Sequence, residues 1–314
     1  MRLYTLLAAA KINLYLEIVG DRPDGFHELI MVMQSISLAD RVTVRSIGVD
    51  EIRVRCDHPL VPTDDTNLAY RAAALLADRF PGIIAKLGGV EITLEKQIPV
   101  GAGLAGGSGN GASVLVGLDL LWQLGLTQEE LQNLGAELGS DIPFCVSGGT
   151  AIATGRGELL DPLHGVDGLH VVLAKYGSEF VSTPWAYRTY RAEFGDSYLV
   201  DAAGFEQRRS QVRSGAMVAA IGHQDKGAIG QHLSNDLEKV VLPAHPKTAH
   251  LKTVMASLGG LGTLMSGSGP TVFTLVDSQE AAETMAQQLK VEIPDPDLGV
   301  WTAAFTSTGI QLET

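Results

Sequence analysis

The chain has 314 residues, 45% of them hydrophobic, which is enough for one large or two ordinary packed domains. With 23 basic and 36 acidic side chains its formal net charge is −13, which argues against a nucleic acid or an anionic membrane as the main partner. Cys56 and Cys145 form neither a disulfide framework nor a metal-ligand pattern. Lys11 and Asn13 interrupt the apolar start and no long apolar run follows, so we expect a cytoplasmic protein.

The first predicted strand covers residues 10–19, where apolar and polar side chains alternate with the period of two that an extended chain imposes. Lys11 and Asn13 therefore point to the same face of this strand. The spacing leaves two interpretations open: this face is the solvent-exposed side of an edge strand, or it presents a cation and an amide to a binding site.

A reversing turn is predicted at residues 21–25, because Pro23 and Gly25 occupy positions that turns favour. The turn brings Phe26 and His27 to the start of the next segment. An aromatic ring beside an imidazole can stack on a nucleobase and hydrogen-bond with it, although each residue alone is also common in ordinary packing.

Three further elements are predicted before the middle of the chain. Residues 41–55 are expected to form one or two strands, residues 68–80 a helix with Asn67 as its N-cap, and residues 90–95 a half-buried strand. Lys96 follows that strand and either lies over a bound nucleotide or is solvated.

A glycine-rich segment, residues 101–111, has six glycines among eleven residues. It lies between the strand at 90–95 and an apolar segment, 112–124, that is predicted to be a buried helix. Because glycine lacks a Cβ atom, such a loop can approach a phosphate closely, and its free N–H groups and the helix dipole favour negative charge. The segment predicts a site for nucleotide phosphates, with a purely structural glycine turn as the alternative.

Two familiar phosphate motifs do not fit this segment. Residues 101–106 match GxGxxG, but a dinucleotide-binding fold needs a second strand after the helix, ending in an acidic residue. Instead, Thr127 and Glu130 form a capping box that begins another helix. A Walker A loop ends in Gly-Lys-Ser/Thr, and no lysine occurs between Lys96 and Lys175. A cation for the phosphates must therefore come from elsewhere in the chain.

The segment after that helix contains Asp141. Gly139 is the predicted C-cap of the helix, and Asp141 stands two residues before Pro143. This position suits either an N-cap or a carboxylate held close to the phosphate loop and able to accept a proton from a hydroxyl. Residues 147–157 are predicted to form a strand that closes the first half.

The second half follows a predicted boundary at residues 160–168. We predict strands at 169–174, 271–276 and 300–305, and helices that begin at Ser182, at 234–238, at Pro246 and near Ser278. Residues 191–227 are weakly patterned and are expected to form a mobile connection. A second glycine site occupies residues 265–270.

Three separated motifs together resemble the GHMP kinase superfamily over essentially the whole chain. They are Ala10-Lys11-Ile12-Asn13-Leu14, Pro99 to Asn110, and Ser266-Gly267-Ser268-Gly269-Pro270, with narrower marks at residues 22–27, 138–144 and 182–184. The resemblance implies an α+β, two-domain GHMP kinase fold. Residues 1–163 would form an ATP-binding domain like ribosomal S5 domain 2, and residues 164–314 a ferredoxin-like domain, with the active site in the cleft between them.

The same resemblance implies a reaction. The γ-phosphoryl group of ATP, with Mg²⁺, would pass to the 2-hydroxyl of a methylerythritol that carries cytidine diphosphate, in the non-mevalonate route to isoprenoid precursors. Asp141 would orient or deprotonate this hydroxyl, and Lys11 would pair with Asp141 and offset charge on the phosphoryl group. The motifs identify no Mg²⁺ ligands. The expected partners are these small molecules, without nucleic acid or membrane, and the expected assembly is a monomer or weak homodimer.

The resemblance also carries binding residues over by motif position. ATP would be held by Asn67, Lys96, Pro99, Val100, Gly101, Ala102, Gly103, Leu104, Ala105, Gly106, Gly107, Ser108 and Gly109. The second substrate would be held by Asn13, Phe26, His27, Thr183, Pro184, Tyr187 and Gly267. The chain departs from the usual pattern at Ala105, Gly109, Gly111 and Phe26, where Gly, Ser, Ala and Tyr are common, and we expect these changes to alter affinity more than activity.

Two alternatives remain at this point. Another small-molecule kinase of the superfamily, of the mevalonate or homoserine type, would share the glycine loops but not the cytidine-facing residues. A non-catalytic nucleotide-binding sensor on the same fold would not need both Lys11 and Asp141, so their joint presence favours the enzyme.

Overall fold

The computed structural model describes residues 3–313, which form two β-sheets with helices packed on them. The larger sheet consists of β1 (Leu3–Asp21), β2 (His27–Ser46), β3 (Ile52–Cys56), β4 (Val90–Glu95), β5 (Thr150–Gly155), β6 (Leu159–Leu163), β8 (Ser234–Asn235) and β12 (Ile310–Leu312). The smaller sheet is antiparallel and has the order β11-β7-β10-β9, with β7 (His170–Tyr176), β9 (Gly262–Met265), β10 (Val272–Val276) and β11 (Leu298–Ala304). This mixture of helix and sheet agrees with the predicted α+β class.

The helices of the first half are α1 (Leu68–Arg79), α2 (Pro81–Leu87), α3 (Gly106–Trp122), α4 (Gln128–Leu138) and α5 (Ile142–Ser147). Those of the second half are α6 (Thr183–Phe194), α7 (Ala202–Arg213), α8 (Ala216–Gly222), α9 (Lys226–Gln231), α10 (Glu238–Ala244), α11 (Pro246–Ser257) and α12 (Gln279–Glu292). None of these helices, all within residues 3–313, is long and apolar enough to cross a bilayer.

β1 is an interior strand of the larger sheet. It pairs with β2 on one side, and with β12 and β8 on the other. Lys11 and Asn13 are buried, with exposed fractions of 5% and 0%. The interpretation of their face as the solvent-exposed side of an edge strand is wrong, because the residues that cover it, Asp141 and Gly267 among them, lie far away in the sequence, beyond the reach of any local pattern.

α3 begins inside the glycine segment, at Gly106, earlier than the predicted start at residue 112. Small residues let this helix lie close to the larger sheet: a Cβ on Gly117 would come within 2.7 Å of Val44 Cγ2. As predicted, the helix is buried on nearly all sides, between the larger sheet and α1. The glycines therefore serve both the loop and the packing of the helix behind it.

The predicted helix caps are confirmed. Asn67 accepts a hydrogen bond from the N–H of Ala69 at 2.8 Å, and Thr127 and Glu130 form both bonds of a capping box. Gly139 ends α4, and its N–H donates to the carbonyl of Gly135 at 3.0 Å. These caps fix where the segments before and after α3 enter the site.

The weakly patterned segment 191–227 is helical, which the sequence pattern did not predict. It contains all of α7 and α8 and the first residues of α9, and α7 and α9 are capped by Asp201 and Asp225. Its pattern is weak because α7 buries a single residue, Val212. Charged side chains instead attach α7 to the larger sheet, where Arg208 pairs with Glu17.

The boundary proposed between residues 163 and 164 falls between β6 and β7, the first strand of the smaller sheet. β8 and β12 belong to the second half of the chain but join the larger sheet beside β1. The two halves are thus interleaved along the strand that carries Lys11.

Candidate active site

A cavity of about 850 Å³ opens where the two glycine loops meet. The first glycine loop, residues 99–105, leads into α3, and the second glycine loop, residues 266–269, connects β9 with β10. Other walls come from β1, the turn before β2, the segment before α1, the residues before α5 and the start of α6.

Lys11 and Asp141 face each other in this cavity. Lys11 Nζ lies 3.8 Å from Asp141 Oδ2 and donates a hydrogen bond to Asn13 Oδ1 at 2.8 Å. Asp141 occupies the N-cap position of α5, yet its side chain makes no capping hydrogen bond. The carboxylate is one-third exposed and the lysine is buried. Asp141 is therefore an N-cap in position only, and its oxygens are available to a hydroxyl in the cavity.

The first glycine loop presents free donors. Among the residues that the structure describes, the backbone N–H groups of residues 101–105 donate to no protein acceptor. Gly101 and Gly103 have φ of +64° and +72°, a left-handed conformation that side-chain-bearing residues rarely adopt. The loop ends at the N-terminus of α3, whose own first N–H groups are also free of helical partners. This arrangement suits bound phosphates.

The second glycine loop packs directly on the first. Ser266 Oγ donates to the carbonyl of Gly103 at 3.1 Å, and a Cβ on Gly103 would overlap the carbonyl oxygen of Ser266. A Cβ on Gly267 would come within 3.3 Å of Asn13 Oδ1 and 3.4 Å of Lys11 Nζ. The second loop therefore closes over the Lys11 and Asn13 pair, and a side chain at Gly267 would crowd both residues.

Lys96 is buried and paired rather than solvated. Its Nζ bonds to Asp40 Oδ2, and to Asn110 Oδ1 at 3.1 Å. Asp40, which is fully buried, also accepts hydrogen bonds from the N–H groups of Gln97 and Ile98 at 2.8 and 2.9 Å. Lys96 does line the cavity, so its contact with a nucleotide stays a prediction, but its charge is already matched by that of Asp40.

Aromatic rings also line the cavity. The ring of His27 lies 5.1 Å from that of Tyr187, and burial raises the pKa of Tyr187 above its ordinary value. Phe26 is half exposed, with the Arg156 guanidinium 4.9 Å from its ring centre. Thr183 Oγ1 lies 2.8 Å from Ser268 Oγ. Ring faces next to hydroxyl and imidazole groups suit a flat, polar ring such as a nucleobase.

The burial of His27 predicts that the stability of the protein depends on pH. Burial lowers the pKa of His27 below its ordinary value of 6.5; Arg191 adds to this effect and Asp21 opposes it. The unfolded chain then binds a proton more readily, so the free energy of unfolding should decrease as pH falls through about 6.5 and level off below the folded-state pKa.

Urea denaturation measured from about pH 8 to about pH 5 checks this prediction. In His27→Gln the decrease should be smaller than in the wild type, since the glutamine does not titrate. Equal pH dependence in the two proteins would contradict it.

The predicted site residues lie together around the cavity, with one exception. Lys11, Asn13, Phe26, His27, Asn67, Lys96, residues 99–108, Asp141, Thr183, Pro184, Tyr187 and Gly267 all line it. Gly109 does not line the cavity. It belongs to α3 and faces β1, where a Cβ on it would come within 3.4 Å of Ala8 Cβ. Its predicted contact with ATP is thus unsupported.

Several lining residues were not predicted, among them Ser268, Gly269, Arg156 and Arg188. Ser268 and Gly269 belong to the second glycine motif, so the motif itself was the available signal. Leu60, Val61 and Pro62 also line the cavity, and nothing in their local sequence points to a site.

Comparison with known proteins defines the class. The family model described as GHMP kinases N terminal domain matches residues 67–149, and the model described as GHMP kinases C terminal matches residues 217–293. The chain belongs to the GHMP kinase family, and its two-domain fold of mixed helix and sheet is that of the family, as predicted.

Individual named relatives narrow the comparison from the family to one of its members. The 4-diphosphocytidyl-2-C-methyl-D-erythritol kinase of Gloeothece citriformis is 60% identical over 313 residues, covering 100% of this chain and 99% of that protein. The protein of the same name from Nostoc punctiforme is 61% identical, covering 99% of each chain.

Solved structures agree with this. The crystal structure of a 4-(cytidine 5'-diphospho)-2C-methyl-D-erythritol kinase is 31% identical with a TM-score of 0.73, covering 96% of this chain and 98% of that one. A homoserine kinase from Cytophaga hutchinsonii has a TM-score of 0.76 at 19% identity, covering 100% of this chain and 98% of that one, and shows the shared fold alone.

Proposed function

We propose that this kinase transfers the γ-phosphoryl group of ATP to the 2-hydroxyl of 4-diphosphocytidyl-2-C-methyl-D-erythritol. The observation that carries the proposal is the pairing of Lys11 with Asp141 beside the first glycine loop, in a chain that is 60% identical over its whole length to kinases of that name. The first glycine loop, the Asp141 carboxylate and the rings of Phe26, His27 and Tyr187 line one cavity, which supports the proposal.

Asp141 orients the attacking hydroxyl and accepts its proton. Its oxygens are open to the cavity because they make no capping bond. Lys11, fixed on β1 by its bond to Asn13 Oδ1, places a positive charge between that carboxylate and the phosphate loop. Phosphoryl transfer depends mainly on positioning and electrostatic stabilisation, which these side chains and the free N–H groups of residues 101–105 provide.

We expect the magnesium ion to bind together with ATP rather than at a separate metal site of the protein. Among residues 3–313 no group of three His, Cys, Asp or Glu side chains could hold a metal ion. Asp141 is the one carboxylate among the described residues that line the cavity. Mg²⁺ in kinase sites is commonly held by substrate phosphates, water and one or two carboxylates, so this donor set suffices. The ion would neutralise charge on the phosphates.

A substrate panel tests the proposal. ADP release from ATP and Mg²⁺ is measured with 4-diphosphocytidyl-2-C-methyl-D-erythritol beside mevalonate, homoserine and galactose. We expect turnover with the cytidine substrate alone, because Phe26, His27 and Tyr187 provide the surfaces that a cytosine ring would contact.

The other outcomes separate the alternatives. Turnover with a different alcohol would refute the proposed acceptor while leaving the kinase chemistry of Asp141 in place. ATP binding without turnover of any alcohol would instead indicate a nucleotide sensor on the same fold.

A further inference from the structure

Asn235 connects three parts of the molecule through one buried amide group. Its Nδ2 donates to the carbonyl oxygens of Met265 at 2.8 Å and Gly267 at 2.7 Å, and its Oδ1 accepts from the N–H of Leu237 at 3.0 Å. The residue is 5% exposed. Since every polar atom of the amide is used, no other side chain of this size can reproduce the set of bonds.

The strand that carries Asn235 is itself attached to β1. β8 runs parallel to β1, with Asn235 opposite Leu16, on the same strand as Lys11 and Asn13. Asn235 therefore links the strand that carries the catalytic lysine to the second glycine loop. It does not itself line the cavity.

The second glycine loop is the part of the site that this link holds in place. Gly267 accepts the bond from Asn235 and lies against Lys11 and Asn13 on its other side. Within the described part of the chain, the N–H groups of Gly267 and Ser268 donate to no protein acceptor, although both residues line the cavity. The position of the loop thus decides where two free donors stand relative to Lys11.

We propose that Asn235 is a positioning residue for phosphoryl transfer, acting by holding the second glycine loop against Lys11. The role rests on the proposed function only for the identity of the acceptor alcohol. A loop displaced by about 1 Å can reduce a rate about 100-fold, so a single buried amide can matter without touching the substrates.

The variant Asn235→Asp tests this role. It keeps the shape of the side chain and the oxygen that accepts from Leu237, but it turns a carboxylate oxygen toward the carbonyls of Met265 and Gly267. We expect kcat to fall by about tenfold or more, with smaller changes in KM for ATP and for the alcohol. A change confined to KM would overturn the proposal.

A double-mutant cycle separates this role from general loss of stability. If Asn235 acts through the second glycine loop, the kcat losses of Asn235→Asp and Gly267→Ala should not multiply in the double variant. Multiplied losses would refute the link. Leu251→Ala, in the core between α11 and the smaller sheet, is the control: it should lower Tm without lowering kcat.

Hydrogen exchange gives a readout that needs no substrate. The N–H groups of Ser266 and Gly269 are bonded to the carbonyls of Thr271 and Ser266, both at 2.9 Å. Their exchange should be faster in Asn235→Asp than in Leu251→Ala. Equal exchange would overturn the proposal, even if the wild-type protein turned over none of the four alcohols and the proposed function failed.

Discussion

Asp141→Asn should lower kcat by about 100-fold or more, the usual contribution of a general base. The amide keeps the size of the side chain but cannot accept the proton of the hydroxyl. ATP binding should stay close to that of the wild type, because the free N–H groups of residues 101–105 and the N-terminus of α3 are unchanged. Steady-state kinetics and titration calorimetry with ATP measure the two quantities separately.

Asp161→Asn is the matched control for this variant. Asp161 pairs with Arg213 at 3.1 Å, and both side chains are about half exposed. The Asp161→Asn variant makes the same chemical change outside the cavity, so its kcat should remain near that of the wild type. Its stability should also change little, because an exposed ion pair contributes about 0–1 kcal/mol. An Asp141→Asn variant with wild-type kcat would show that Asp141 is not the base.

Gly103→Ala should separate the two glycine loops and weaken ATP binding by about tenfold or more, equivalent to about 1.4 kcal/mol. Gly103 has φ of +72°, and a Cβ there would overlap the carbonyl oxygen of Ser266. The backbone strain alone costs about 1–2 kcal/mol, and the overlap adds to it. Urea denaturation measures the free energy of unfolding, and calorimetry measures the affinity for ATP.

Gly125→Ala isolates the contribution of the loop contact. Gly125 also has φ of +72°, but no atom lies within 4 Å of the position its Cβ would take. In this variant the free energy of unfolding should decrease only by the backbone strain, about 1–2 kcal/mol, and ATP binding should be normal. Equal losses of stability and unchanged ATP binding in both variants would show that the contact between the loops has no role.

The parts of the fold that the sequence predicts well are those decided by neighbouring residues. The caps at Asn67 and Thr127 form bonds within three positions of the cap, so their side-chain chemistry is sufficient. The glycine segment is recognisable for the same reason, since positive φ at Gly101 and Gly103 strongly favours that residue type. The order and spacing of the motifs then predicted most of the residues of the candidate site.

The features that sequence did not predict depend on distant partners. Lys96 is paired with Asp40, which lies 56 positions away, and no local pattern distinguishes this buried ion pair from a solvated lysine. The burial of Lys11 depends likewise on Asp141 and Gly267, which are distant in the sequence. In α7 the apolar periodicity is nearly absent, because salt bridges such as Arg208 with Glu17 attach the helix instead.

The interleaving of the sheet along β1 has a consequence for how the chain is made. Leu6, Leu7 and Ala8 pair with Leu312, Gln311 and Ile310, so this edge of β1 finds its partner only after residues 310–312 have been synthesised. Until then that edge exposes unpaired backbone groups, a template for intermolecular pairing. A nascent chain stalled before β12 should therefore be prone to aggregate, and the strand that carries Lys11 should be among the last parts of the enzyme to reach its final form.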